Sequence, residues 1–245
     1  MIKTKLMIKK SNKTDKIILS GIIVLCGVIF SSFTDQHSQQ REQMVQNQLK
    51  ERGIYDSNTL EAMRNTKRHL FVPSNQQRFA YQDRPLPIGH GQTISQPYIV
   101  AYMTQIIEPR NHHRILEIGS GSGYHAAVLG QIVDEVYTIE IIEALGKGAK
   151  GVLNEQGYDN VHVKIADGYY GWEENAPYDA IVVTAAAEHI PPPLIEQLRD
   201  GGKMIIPVGS PYRTQQLMLV EKEDGDITTE NLMPVRFVPF RRADD

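Results

Sequence analysis

Five short apolar runs recur through the second half of the chain, and they constrain its fold more than any other feature. They are "RILEI" (114–118), "EVYTIE" (135–140), "VHVKIA" (161–166), "YDAIVVTA" (178–185) and "GKMIIPVG" (202–209). Their length and their content of branched and aromatic residues predict buried strands. Helical segments fall between most of them, over 124–133, 141–156 and 194–199. Strands alternating with helices need crossover connections, so the expected class is α/β with a mostly parallel central sheet. Residues 215–237 read as a hairpin turning at "EDGD", which adds an antiparallel edge to that sheet.

The first half lacks this rhythm. "MVQNQLKERG" predicts a helix stopped by Gly53. Ser57 is the expected cap of a second helix, and Pro97 opens a third that runs to Ile107. Residues 74–92, which contain "RPLPIGHG", read as loop. The domain expected over 44–245 therefore begins with a helical extension, preceded by a polar, glutamine-rich linker at 34–43.

Residues 1–33 stand apart. Six lysines and one aspartate flank an apolar run of 14 residues, Ile17 to Phe30. A spanning helix needs about 20 apolar residues, so this segment predicts a signal peptide or a short membrane anchor, a tether through 17–30. Without these residues the formal charge falls from −3 to −8. Such an acidic body argues against a nucleic-acid partner, which clustered cations would have to hold. The single cysteine, Cys26, lies inside the apolar run, so the body has no disulfide and no thiolate nucleophile. No set of acids or histidines has metal-ligand spacing, and no metal is expected.

"LEIGSGSGY" is a strand, a glycine turn and the start of a helix, a pattern that lets a ligand approach the backbone. Glu140 ends the next strand, where an acid can accept hydrogen bonds from both ribose hydroxyls of an adenosine. Two readings compete. Gly121-Ser-Gly123-Tyr-His-Ala126 fits the dinucleotide fingerprint, with Glu140 at the expected separation. Glu117 instead begins an acid-x-G-x-G-x-G loop suited to adenosylmethionine, whose amino group an acid at the loop's base can help to hold. Glu117 favours the second reading. Asp167-Gly168 follows the third strand, at the sheet end where ligands gather; its carboxylate could accept from an adenine amino group while the glycine admits the ring. Among the histidines, His112, His113 and His125 are expected to face solvent, and His189 is a candidate for the site mouth.

Taken with "LPIGHGQTISQPYIVAYMT", "APYDAIVVTAAAEHIPPPLIEQL" and "VRFVPF", these motifs resemble the protein-L-isoaspartate (D-aspartate) O-methyltransferase family. The resemblance runs in family order from about Met44 to Phe240. It implies a Rossmann-like class I methyltransferase that uses S-adenosyl-L-methionine to methylate the free α-carboxylate of L-isoaspartyl residues in damaged proteins and peptides. By resemblance, Ser95 is the active-site serine and "QTIS" lines the transfer site. The implied cofactor contacts are Gln92, Thr93, Ile94, Glu117, Gly119, Ser120, Gly121, Gly123, Glu140, Asp167 and Gly168. Val235, Arg236 and Phe237 would hold the peptide through backbone pairing. A monomer working in the cytoplasm is expected. The alternatives are a methyltransferase for another carboxylate, a non-catalytic adenosylmethionine binder and, more remotely, a dehydrogenase.

Overall fold

The computed structural model describes residues 36–210 and 212–243; the apolar run at 17–30 lies outside them. Among the described residues, no helix is long and apolar enough to cross a membrane.

A seven-stranded sheet forms the centre. Its strands are β3 (Arg114–Ile118), β4 (Glu135–Glu140), β5 (Val161–Ile165), β6 (Tyr178–Val183), β7 (Leu198–Val208), β8 (Gln215–Glu223) and β9 (Asp226–Val235). In space they run β5-β4-β3-β6-β7-β8-β9. The first five are parallel, and β8 and β9 add the antiparallel hairpin. The chain builds outward from β3 to β5 and then returns to place β6 on the other flank of β3. That reversal opens a crevice beyond Ile118 and Val183, where open α/β sheets take their ligands.

Alternation along the strands produces two cores. Ile115, Val136, Ala180, Val182 and Ile205 face one side, while Leu116, Tyr137, Ile181, Met204 and Ile206 face the other. Burying each large aliphatic side chain contributes about 1.5–3 kcal/mol. The first face is covered by the N-terminal elements and by helices α4 (Tyr124–Gly130) and α5 (Glu143–Glu155); α6 (Pro192–Gln197) supplies Leu194 to the second. Glu117 and Thr138 occupy positions of the first face, two residues beyond Ile115 and Val136, and this places two polar groups against the helical layer.

The N-terminal elements are α1 (Gln36–Gln43), a π-helical turn at Met44–Leu49, a 3-10 turn at Lys50–Arg52, α2 (Ser57–Asn65) and α3 (Pro97–Ile106). Helix is therefore already present within the segment expected as linker. Gly53 ends the second turn in the left-handed region, φ 90°. Asp56, not Ser57, caps α2, its carboxylate accepting from Thr59 N–H.

The segment expected as loop contains structure of its own. A 3-10 stretch spans Ser74–Phe79, and a hairpin joins β1 (Leu86–Gly89) to β2 (Gln92–Ile94). His90 and Gly91 turn it at φ 52° and 71°. Elsewhere the helices stop short of expectation at Gly130 and Gln197, and β7 begins at Leu198 rather than at residue 202.

Candidate active site

The crevice at the strand reversal is an open cleft. Gly119, Gly121 and Glu140 form one wall, Gly168 and Thr184 the floor, and Val238 to Arg241 the opposite wall. Gln92 and Thr93 reach it from β2. A smaller recess lies deeper and shares Thr93, Gly119, Gly121 and Thr184 with the cleft. Ile94, Ser95, Glu117, Ser120 and His125 line it. Most of the predicted cofactor residues thus divide between two adjoining cavities, with Ser95 and Glu117 together in the second, while Gly123 and Asp167 line neither.

The glycine loop is fixed from both neighbouring strands. Gly119 N–H and Ser120 N–H donate to the Ile139 carbonyl, at 2.8 and 3.1 Å. From β6, Thr184 Oγ1 lies 3.0 Å from the Ile118 oxygen and 2.7 Å from that of Gly119. Gly119 holds φ 97°, and a Cβ there would come within 2.4 Å of Thr184 Oγ1, so this position demands glycine. Gly123 caps α4 at φ 85° and packs against Ala149 and Leu153 of α5.

Glu117 is fully buried. Thr138 Oγ1 donates to its Oε2 at 2.5 Å and lies 2.7 Å from Ser120 Oγ. Thr138 has one proton to give, so Ser120 donates to Thr138. Glu117 Oε1 is buried without a partner. Burial pushes the carboxyl up to about 8; the Thr138 hydrogen bond opposes this and the nearby Glu140 charge adds to it. An unmet acceptor on a recess wall is a site for a cationic donor, because an unsatisfied buried polar group is costly.

The Glu140 carboxylate is anchored to backbone, Oε2 by Gly121 N–H at 2.8 Å and Oε1 by Ile142 N–H at 2.9 Å. Each oxygen keeps a second lone pair for a diol in the cleft.

Asp167 is engaged differently from expectation. Tyr169 N–H donates to Oδ1, while Arg242 Nε and Ala243 N–H donate to Oδ2, at 2.9 and 3.1 Å. These bonds hold its pKa below the usual carboxylate range against the opposing effect of desolvation. The Arg242 guanidinium also lies 3.7 Å from the Tyr169 ring centroid. Gly168 lines the cleft as expected and packs on Ile118.

At the C-terminal end, Val235 closes β9 opposite Gln215 and is 7% exposed. Arg236 is exposed, and Phe237 N–H donates to Gln215 Oε1 at 3.0 Å. Ala186 then brackets the tail, donating to the Val238 carbonyl and accepting from Phe240 N–H, both at 2.8 Å. The substrate residues expected here flank the cleft wall without forming it.

Two histidine expectations are corrected. His125 is buried, with Nε2 3.0 Å from Thr104 Oγ1, and burial pushes its pKa down to about 3. It follows Tyr124 on α4, whose residues 124–129 are all buried, so no face of that turn meets water. His113 is also buried; His112 is exposed. His189 lines a trough with Tyr169, Phe240 and Arg242 that shares Pro239 and Phe240 with the cleft. Sequence reasoning missed Thr138 and Thr184. The alternation of β4, which puts Thr138 on the face of Glu140, was the available signal for the first.

Residues 39–244 match the family model for protein-L-isoaspartate(D-aspartate) O-methyltransferase. A protein-L-isoaspartate O-methyltransferase of Opitutus terrae is 54% identical over 224 residues, covering 91% of this chain and 96% of its own. One from a Polaromonas species is 60% identical over 186 residues, 76% of this chain and 88% of its own. Among solved structures, one named protein-L-isoaspartate O-methyltransferase superposes with a TM-score of 0.74 at 29% identity, over 81% of this chain and 65% of its own. A Plasmodium falciparum structure, described by the same enzyme name and in complex with S-adenosyl-L-homocysteine, gives 0.71 at 27% identity, over 84% and 98%.

Proposed function

The chain belongs to the protein-L-isoaspartate (D-aspartate) O-methyltransferase family, and from that premise we propose how its residues carry out the reaction. It moves a methyl group from S-adenosyl-L-methionine to the free α-carboxylate of L-isoaspartyl residues in proteins and peptides. The observation that carries this reading is the junction of the two cavities at Thr93 and Gly119, which puts Ser95 beside the cofactor loop.

The donor supplies an electrophilic methyl on a sulfonium. Glu140 would hold the ribose hydroxyls, Gly168 would admit the adenine ring and Glu117 Oε1 would accept from the amino group of the methionine part. Gln92, Thr93 and Ile94 of β2 would contact the cofactor, and Ser120, Gly121 and Gly123 shape the loop that would receive it.

The nucleophile needs no activation. A free α-carboxyl has a pKa of about 3.5, so at neutral pH the attacking oxygen is already charged. The protein must align oxygen, methyl and sulfur and keep them partly dry. Ser95 donates its hydroxyl to the carboxylate and orients it. A hydroxyl does this without neutralising the charge, whereas direct pairing with a cation would blunt the nucleophile. No covalent enzyme intermediate forms. The ester then cyclises unaided to a succinimide, and hydrolysis restores part of the normal aspartate.

The substrate chain runs past Val235, Arg236 and Phe237. Backbone pairing there accommodates the extra main-chain methylene without reading side chains. The protein acts as a monomer in the cytoplasm, where its methyl donor is made.

The test is radiolabelled methyl transfer to an isoaspartyl peptide beside its normal aspartyl twin. Transfer confined to the isoaspartyl peptide is the expected result. Equal transfer to both peptides would point to a different carboxylate substrate, and no transfer to either would point to a binder that does not catalyse.

A further inference from the structure

Arg68 opens a 3-10 turn in the N-terminal extension and is 0% exposed. Its Nε donates to the Ala80 carbonyl at 2.8 Å and its Nη2 to the Ser95 carbonyl at 2.7 Å. The guanidinium also lies over the ring of Tyr124, 4.7 Å from its centroid, in the first turn after the glycine loop. Nη1 has no hydrogen-bond partner. Burial pushes its pKa down to about 10, so it is charged at neutral pH.

A buried cation held by two carbonyls is expensive, because desolvation costs several kcal/mol per ion and the Tyr124 hydroxyl and the Asp83 charge nearby offset it only in part. Packing alone would be served better by an aliphatic side chain. What Arg68 adds is a rigid fork joining three segments that are distant in sequence. Ser95 most needs such a fork, since it lies between the end of β2 at Ile94 and the start of α3 at Pro97. Gln96 and Tyr98, one and three residues on, are pinned by Asp83, which accepts from Gln96 Nε2 at 3.2 Å and from Tyr98 N–H at 2.8 Å. Arg68 makes the corresponding bond to Ser95 itself.

We propose that Arg68 is a positioning residue for methyl transfer: its guanidinium fixes the Ser95 backbone against Tyr124 and so sets where the Ser95 hydroxyl stands relative to the methyl donor. The inference rests on Ser95 being the carboxylate-orienting group.

The test compares Arg68→Ala, Arg68→Lys and Ser95→Ala, singly and as the Ala/Ala pair. The readouts are kcat and KM on an isoaspartyl peptide, S-adenosyl-L-homocysteine affinity, and folding by circular dichroism. Displacing Ser95 by an ångström should lower kcat about 100-fold in both Arg68 variants. Cofactor affinity should change by less than about threefold, because Arg68 makes no contact with the cleft wall. Guanidinium ion at about 20 mM should recover turnover in Arg68→Ala, while ammonium should not, since a single compact ammonium cannot span both carbonyls.

Near-normal turnover in the Arg68 variants overturns the proposal, as does cofactor affinity that falls in step with turnover. If Arg68→Ala does not fold, Arg68→Lys decides by the same criteria, and failure of both to fold assigns Arg68 to stability alone. The Ala/Ala pair separates the two ideas. If Arg68 works through the Ser95 hydroxyl, Arg68→Ala costs little once Ser95→Ala is present. Full additivity defeats the Arg68 role and leaves the Ser95 reading standing, whereas a fully active Ser95→Ala defeats that reading itself.

Discussion

The backbone N–H of Gly121 donates to the side chain of Glu140, so the glycine loop and the acid proposed to hold the ribose are joined within the protein itself. Glu140→Ala removes both the diol acceptor and this brace. Losing two charge-assisted hydrogen bonds should weaken S-adenosyl-L-homocysteine binding about 10- to 100-fold. Calorimetric titration measures this, and unchanged affinity would mean that the cofactor lies elsewhere.

Glu117 makes cofactor binding depend on pH. Its folded pKa, about 8, exceeds its ordinary value of 4.5, so the folded protein binds the extra proton. Stability of the ligand-free protein should therefore fall as pH rises from 4.5 to 8 and level off above. Binding has the opposite sign. A cationic amino group selects ionised Glu117, so S-adenosyl-L-homocysteine affinity should rise with pH by about tenfold per unit at most, flattening near 8. Glu117→Gln should abolish the slope in both measurements; a wild-type slope in that variant would assign the titration to another group.

Gly119→Ala should destabilise the fold by about 2–4 kcal/mol, since it combines a strained φ with a clash on Thr184. Urea unfolding provides the readout. Replacing Thr184 with serine at the same time should leave most of the loss in place, because the clashing Oγ1 is retained. Wild-type stability of Gly119→Ala would show that the loop is free to rearrange.

Arg242 occupies Asp167, which the adenine amino group is expected to use. Arg242→Ala leaves Asp167 with its backbone donors and an open acceptor position. S-adenosyl-L-homocysteine affinity should then rise, by about three- to tenfold for one contested charge-assisted bond. A clear loss of affinity would instead make Arg242 part of the cofactor's binding surface.

Much of this was legible before any coordinate. The bounds of β3 and β4 follow from short runs rich in branched and aromatic residues, and the glycine loop with Glu140 follows from their spacing. The β1–β2 hairpin was not legible, because its strands have four and three residues and its turn sits in a proline-rich stretch that reads as loop. Its stability comes from burying Leu86 and Ile94 in the core, which is a tertiary effect. Arg68 was missed for a similar reason: an arginine in "RHLFVP" carries no local sign that it will be enclosed. His125 was misplaced because the glycine loop suggested an open surface, whereas α4 is buried all round. At Glu117 the position was readable, but its displaced pKa depends on an environment that only the fold supplies.

The bracket that Ala186 places around Val238 and Phe240 makes residues 238–241 one wall of the cleft. A growing polypeptide can assemble the parallel strands and the glycine loop while this wall is still unsynthesised. The cleft is therefore complete only once residues 238–241 have joined the strands that precede them.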